Sequence, residues 1–333
     1  MKIVTALVGF GLSGRYLQAP FLIENPAYDL KYIVTQSSDP KAFFLQVQVS
    51  QSITDVLSDT SVDLVSICSP NPTHYQYAKQ ALLAGKHVLV EKPLCASLTQ
   101  AKELYALAKT QNKVLCVYQN RRFDSDFQTI QSVIASGKLG KIHSFEAHFD
   151  RYKPELNPKK WKESPDPSAG ILYDLGSHLI DQAIGLFGKP NQVQGEVWTQ
   201  RESSAIDDAF DLRLNYGALK VRLKASLLVK KAGPRYIIHG DKGSFEKYGI
   251  DPQEDHSKAG IWPSDARFGQ EETAFSGILT TDEGKEQIPT VRGNWGLLFD
   301  NLQEAILTDK PLIISQEDIL TQIEILEKVK QIS

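Results

Sequence analysis

Three short motifs succeed one another in a chain of 333 residues: Val8-Gly9-Phe10-Gly11-Leu12-Ser13-Gly14, Val90-Glu91-Lys92-Pro93 and Tyr173-Asp174-Leu175-Gly176-Ser177-His178. The first has the spacing of a turn that cradles a pyrophosphate, the second presents an ammonium, and the third pairs a carboxylate with an imidazole. Reversible oxidation of an alcohol needs this set, because a hydride acceptor must be held while a proton leaves the hydroxyl and the developing charge is stabilised. Each motif alone has an ordinary reading, as a βα turn, a surface lysine or an i,i+4 surface pair.

In the first motif, Gly9 permits a tight turn, Gly11 lets the backbone approach a pyrophosphate and Gly14 lets helix and strand pack closely. Phe10, Leu12 and Ser13 complete the turn, whose free N–H groups and helix dipole favour an anion. Beyond the second predicted strand, where an acid would bind both ribose hydroxyls of NAD, the chain reads Thr35-Gln36-Ser37-Ser38. Thr35, Ser37 and Ser38 can donate to a 2′-phosphate, and Lys41 is a nearby counter-charge, so NADP is the expected cofactor. NAD would require Asp39 to turn inward.

Lys92 lies immediately past the fifth predicted strand, at the sheet edge where ligands bind, and Glu91 orients the same turn. Asp174, His178 and Asp181 fall at helical spacing on one stripe, with Leu175, Leu179, Ala183 and Leu186 on another. Gly170 and Gly176 are costly so close to a helix unless another group packs against them, and a nicotinamide ring is the group expected. No third and fourth ligand accompany the pair, so no metal is expected.

The elements that must position these residues alternate, up to residue 119, between short β-branched runs and amphipathic helices. Strands are predicted over 3–8, 30–35, 47–49, 64–68, 88–90 and 114–118, with helices over 75–84 and 98–110, which implies a doubly wound parallel sheet. From residue 120 longer strands with polar alternation appear, over 142–150, 192–199, 210–216, 219–227 and 235–239, as in an antiparallel sheet covered on one face. The predicted organisation is therefore a Rossmann domain over 1–119 and a C-terminal α/β domain over 120–333 built on a large open, mostly antiparallel sheet. Residues 152–170, with four prolines, form a loop leading to Asp174 and read as a substrate lid.

A formal charge of −3, with 41% hydrophobic and 23% charged residues, argues against a nucleic-acid binder and a disordered chain. No apolar stretch approaches the ~20 residues that would span a bilayer. Cys68, Cys95 and Cys116 lack metal or redox spacing and read as reduced core residues, which together point to a cytoplasmic protein without membrane contact.

With these motifs, and with Ser69-Pro70-Asn71-Pro72-Thr73-His74 and Tyr118-Gln119-Asn120-Arg121-Arg122-Phe123, the chain resembles the glucose-fructose oxidoreductase / inositol 2-dehydrogenase / MocA family over nearly its whole length. The resemblance implies that Ser69, Pro70, Asn71 and His74 lie along the cofactor with Glu91, and that Asn120 enters the active site. It implies that Lys92, Asp174 and His178 are the catalytic lysine, aspartate and histidine, that Pro93 follows a cis peptide bond, and that the C-terminal sheet joins a homodimer or homotetramer. Segments 150–155, 233–236 and 238–240 resemble the branch of NADP-dependent scyllo-inositol dehydrogenases; the departure is Ser37, where some of that branch carry arginine. The implied substrate is a cyclic polyol, with Asn120, Arg151, Tyr152, Trp161 and Tyr236 among the side chains that set its stereochemistry. The alternatives are another sugar, such as a glucose-type pyranose or an anhydro-ketose, and a non-catalytic NAD(P)-sensing regulator.

Overall fold

The run Ile3–Val8 becomes β1, the strand at the centre of the first sheet. This computed structural model describes residues 2–36, 40–158 and 163–332, so the expectations placed on Ser37, Ser38, Asp39 and Trp161 lie outside the described residues. Around β1 are β2 (Tyr28–Val34), β3 (Gln48–Ser50), β4 (Leu64–Ile67), β5 (His87–Glu91) and β6 (Leu115–Tyr118), in the order β3-β2-β1-β4-β5-β6 and all parallel. Every residue of β4 and β6 is buried, as a parallel sheet covered on both faces requires. The chain steps outward from β1 to β2 and β3, then returns to β4 on the other side. That reversal opens a crevice at the carboxyl ends of β1 and β4, and Gly9, Cys68, Glu91 and Asn120 all sit at or just past such ends.

The compact unit around this sheet holds residues up to Asn120 and also Gln253–Phe268 and Asn294–Ile319. The chain thus first leaves it beside the expected boundary at residue 119 and returns twice, which a single boundary does not express. Aromatic packing accounts for the return: Phe299 stacks on Phe21 at 5.3 Å, Phe268 and Trp295 meet the same ring at 5.7 and 6.2 Å, and the Tyr28 hydroxyl donates to Phe299 O at 2.6 Å.

The second unit comprises Arg121–Pro252, Gly269–Gly293 and Leu320–Ser333. Its strands are β7 (Ile142–His148), β8 (Gln192–Trp198), β9 (Ala209–Tyr216), β10 (Leu219–Ser226), β11 (Tyr236–Gly240), β12 (Gly243–Lys247), β13 (Gly277–Thr281) and β14 (Gly284–Ile288). They form one sheet in the order β14-β13-β12-β11-β7-β10-β9-β8, antiparallel except for β7 with β10. β9 and β10 join through the expected turn, where Gly217 takes φ +80°. Strands β12 to β14 lie beyond those the sequence pattern predicts; Gly284-Lys285-Glu286-Gln287 of the edge strand is exposed throughout and carries no apolar alternation.

One face of this sheet packs Phe145, Phe210, Leu212 and Leu223 against Phe127, Leu175, Leu179 and Leu326 of the helices Ser125–Ala135, Leu172–Phe187 and Gln316–Ile332. The other face is polar, with Arg222 of β10 paired to Asp211 of β9 at 2.5 Å.

Candidate active site

The glycine-rich turn is built from backbone packed on backbone. Gly9 holds φ +98° and donates to Val34 O at 2.9 Å, and a Cβ there would meet the Cys68 carbonyl carbon at 2.7 Å. A Cβ on Gly14 would overlap the Gly9 carbonyl oxygen, whereas one on Gly11 would find open space. The fold itself therefore demands glycine at 9 and 14 but not at 11, and a residue left small for no internal reason beside the crevice fits a dinucleotide whose pyrophosphate approaches there. The helix that follows opens with a π turn over Ser13–Gln18, in which Ala19 N–H donates to Gly14 O. Pro20 at the start of the α-helical part Ala19–Glu24 has no N–H to continue the ladder, which places the irregularity before it.

Glu91 ends β5 and grips this helix. Its Oε1 accepts from the Ser13 hydroxyl and from Gln18 Nε2 at 3.1 Å, and its Oε2 accepts from Lys92 N–H at 3.1 Å. Gln18 is fully buried and in turn accepts from the Ser66 hydroxyl of β4. Both carboxylate oxygens thus serve the protein, as expected of a residue orienting the turn. The Lys92–Pro93 peptide is cis, as the resemblance implied. His74 is fully buried, each ring nitrogen lying 2.8 Å from a backbone oxygen, of Pro93 and of Ser69. Its ring ties two loops together, so of the residues expected along the cofactor it has both ring nitrogens engaged by the protein. Ser69 Oγ lies 2.5 Å from Thr73 Oγ1, Pro70 is exposed, Asn71 is half-buried, and Thr35 follows β2 with its N–H bonded to Ser50 O at 3.0 Å.

In the second unit, Asp174 and His178 ride on one continuous helix that opens with a π turn over Leu172–Gly176 and continues as α over Ser177–Phe187. Asp174 is exposed and His178 is 5% exposed. Asp207 caps the start: its carbonyl accepts from Ile171 N–H and its carboxylate from Leu172 N–H, both at 2.9 Å, and Lys330 pairs with it. Gly170, at φ +97°, is glycine because a Cβ would collide with the Asp207 carboxylate. Gly176 corrects an expectation. A Cβ there would lie 3.1 Å from Leu172 Cδ1 and 3.3 Å from Phe210 Cε1, so close packing on Leu172 and β9 is by itself a reason for that glycine.

Asp181, expected to share the stripe of Asp174 and His178, is buried and takes both oxygens to Arg122, from Nε at 2.8 Å and Nη2 at 2.9 Å. Tyr236 also departs from expectation. It is fully buried, and its hydroxyl donates to Gln182 Oε1 at 2.9 Å, so it supports the helix and does not face a substrate. Arg151 is half-buried, its guanidinium 4.8 Å from the Phe149 ring centroid, and Tyr152 is 47% exposed. Asn120 is buried at the turn after β6.

Residues 3–119 match the GFO_IDH_MocA family described as "Oxidoreductase family, NAD-binding Rossmann fold", and residues 131–332 its "C-terminal alpha/beta domain". The chain belongs to this oxidoreductase family. Within the family it is 39% identical to the uncharacterized oxidoreductase YhhX of Escherichia coli, over 98% of this chain and 96% of that one. It is 36% identical to the scyllo-inositol 2-dehydrogenase (NADP(+)) IolW of Bacillus subtilis, over 99% and 94%. The solved structure of the oxidoreductase yvaA from Bacillus subtilis superposes with a TM-score of 0.95 at 36% identity, covering 99% of this chain and 95% of that one.

The family motifs singled out Arg121 and Arg122 but not their partners. Arg121 Nη1 donates to Asp124 at 3.0 Å, Gln182 Nε2 donates to Arg121 O at 2.9 Å, and Arg235 reaches Asp126 at 3.2 Å. No periodicity marks Asp207 or Gln182 in advance, because their partners are distant in sequence. Among the described residues no helix is long and apolar enough to cross a membrane.

Proposed function

We propose that the chain transfers a hydride between NADP(H) and a ring carbon of a cyclic polyol, interconverting scyllo-inositol and scyllo-inosose. The observation that carries this reading is the match to a dehydrogenase of that specificity over 99% of the chain, joined to Lys92, Asp174 and His178 at the positions of the family's catalytic residues. The division of labour is a nucleotide-binding domain over 1–119 and a substrate-binding and oligomerisation domain over 120–333.

When bound, nicotinamide supplies a two-electron acceptor at its C4. His178 takes the hydroxyl proton as the C–H bond gives up its hydrogen with both electrons and the C–O bond becomes a carbonyl. Lys92, an ammonium, stabilises the alkoxide as it forms and polarises the carbonyl in the reverse direction. Asp174 orients the substrate or the imidazole. Asn120, Arg151, Tyr152 and Trp161 select the ring's hydroxyl array.

A panel of inositol stereoisomers and aldoses assayed with both cofactors tests the proposal, with scyllo-inositol and NADP expected to give the highest kcat/KM. A glucose-type pyranose or an anhydro-ketose turned over faster would move the substrate to another sugar, and no turnover of any polyol would leave a sensing role. Thr35→Asp is expected to weaken NADP relative to NAD by about 10- to 100-fold, since it sets a carboxylate where the ribose phosphate belongs. The polar outer face of the C-terminal sheet joins a homodimer or homotetramer in this reading. Light scattering that finds a monomer at micromolar concentration would refute that part.

A further inference from the structure

We propose that Arg15, a residue no motif singles out, recognises the 2′-phosphate of NADP. The proposal rests on the reading of the first unit as an NADP site. Arg15 follows Gly14 directly, and its N–H donates to Gly11 O at 3.0 Å, in the first turn past the glycine-rich loop. The guanidinium carbon lies 4.3 Å from the Phe43 ring centroid, 5.0 Å from that of Phe10 and 5.8 Å from that of Tyr16. Phe10 adjoins Gly9, which is hydrogen-bonded to the last residue of β2, and Phe43 belongs to the segment after β2, its N–H bonded to Pro40 O at 3.0 Å. The cation is therefore clasped between the glycine-rich turn and the chain just beyond β2. In a Rossmann domain this is where the adenosine ribose lies, and where an acid selects the free 2′-hydroxyl or a cation accommodates the phosphate.

The state of the guanidinium points to a ligand. It makes no ion pair and no side-chain hydrogen bond with any described residue, and its Nε–H is buried without an acceptor. Arg121, Arg122, Arg201 and Arg235, all buried, each pair with a carboxylate. A buried donor left unmet costs free energy, and the rest of this half-buried guanidinium is left to meet an anion. Aromatic rings around a guanidinium take up none of its N–H donors in ordinary hydrogen bonds, and Arg binds a phosphate through two parallel hydrogen bonds. Thr35 and Gln36, next to β2, bring no charge of their own. Arg15 supplies from the helix the cation that other NADP sites carry after the second strand.

The test is direct binding to the full chain, without turnover, of 2′,5′-ADP and 5′-AMP by calorimetry, repeated with NADP and NAD. The wild type is expected to prefer 2′,5′-ADP. Arg15→Gln should lose about 10- to 100-fold in affinity for 2′,5′-ADP and NADP while 5′-AMP and NAD stay within about twofold, and Arg15→Lys should keep part of the preference. The unchanged 5′-AMP affinity serves as the check on folding. A wild type without preference for the 2′-phosphate overturns the NADP reading and this proposal with it. A preference that survives in Arg15→Gln overturns the role of Arg15 alone, as does an equal loss for both ligands in Arg15→Gln and Arg15→Lys, which would make the residue a structural support.

Discussion

The helix after Gly14 and the helix that carries Asp174 and His178 both open with a π turn, yet their starts are fixed differently. At the first, besides the side-chain grip of Glu91, backbone presses on backbone: Gly9 lies against the Cys68 carbonyl and Gly14 against Gly9, so only glycine can stand there. At the second, charged and amide side chains do most of the holding. Asp181 is bound by Arg122, Gln182 by Arg121 and Tyr236, and Ser177 O accepts from Gln322 Nε2 at 2.6 Å. A backbone contact demands one residue type and leaves a motif, whereas a side-chain tie can be made from many positions and leaves none.

The largest expected effect falls on the second helix. Asp181→Ala removes the carboxylate that meets the buried Arg122 guanidinium and should lower stability by about 3 to 5 kcal/mol in urea unfolding. A loss under about 1 kcal/mol would show that the apolar core carries this helix and the contrast is superficial.

Next come the proposed catalytic residues, one from each unit. Lys92→Ala and His178→Ala should each reduce kcat about 100-fold or more while leaving NADP affinity within about threefold, as expected for groups acting on charge that develops at the substrate. Near-normal turnover in either purified variant would remove that residue from the chemistry.

Two histidines extend the comparison to pH. In the first unit, His87 Nδ1 accepts from Val114 N–H at 3.0 Å, and burial, aided by Lys113, pulls its pKa down to about 4. Its folded pKa lies below the unfolded value of about 6.5, so the unfolded chain takes up the proton first. The contribution is complete above that pH and shrinks as pH falls toward 4. In the second unit, hydrogen bonding to Asp150 and then to Glu146 raises the pKa of His148, so its contribution is present in acid and lost as pH rises through the folded value. His87→Gln should flatten the acid limb of a stability-pH profile, and an unchanged limb would assign it to other groups.

The smallest effect separates ligand from fold within one motif. Gly11→Ala should leave stability within about 0.5 kcal/mol yet weaken nucleotide binding about tenfold, whereas Gly14→Ala should cost stability itself. A Gly11→Ala variant that binds NADP normally would mean that no pyrophosphate approaches this turn closely.

Much of the scaffold was legible because it repeats short rules. The apolar runs of β1 and β4 to β6 announced a parallel sheet, and the helix over 98–110 appears as Leu98–Thr110 with Ser97 Oγ accepting Gln100 N–H at 3.2 Å as its cap. The site was legible where a single residue type is compulsory, as at Gly9 and Gly14. It was misread at Gly176 and Tyr236, whose surroundings come from Phe210 and Gln182, on other elements.

By itself, then, the amino-acid sequence determined the parallel sheet, part of the second sheet, the order of the nucleotide-binding elements and the family, since each depends on local periodicity or on glycine at a close approach. Only the tertiary structure decided which polar residues are available to a ligand. Asp181, His74 and Tyr236 carry polar groups that could serve a ligand on paper, but Arg122, two backbone carbonyls and Gln182 occupy them. Burial makes every such donor and acceptor seek a partner, and the partner is set by which elements pack together, a property no spacing along the chain records.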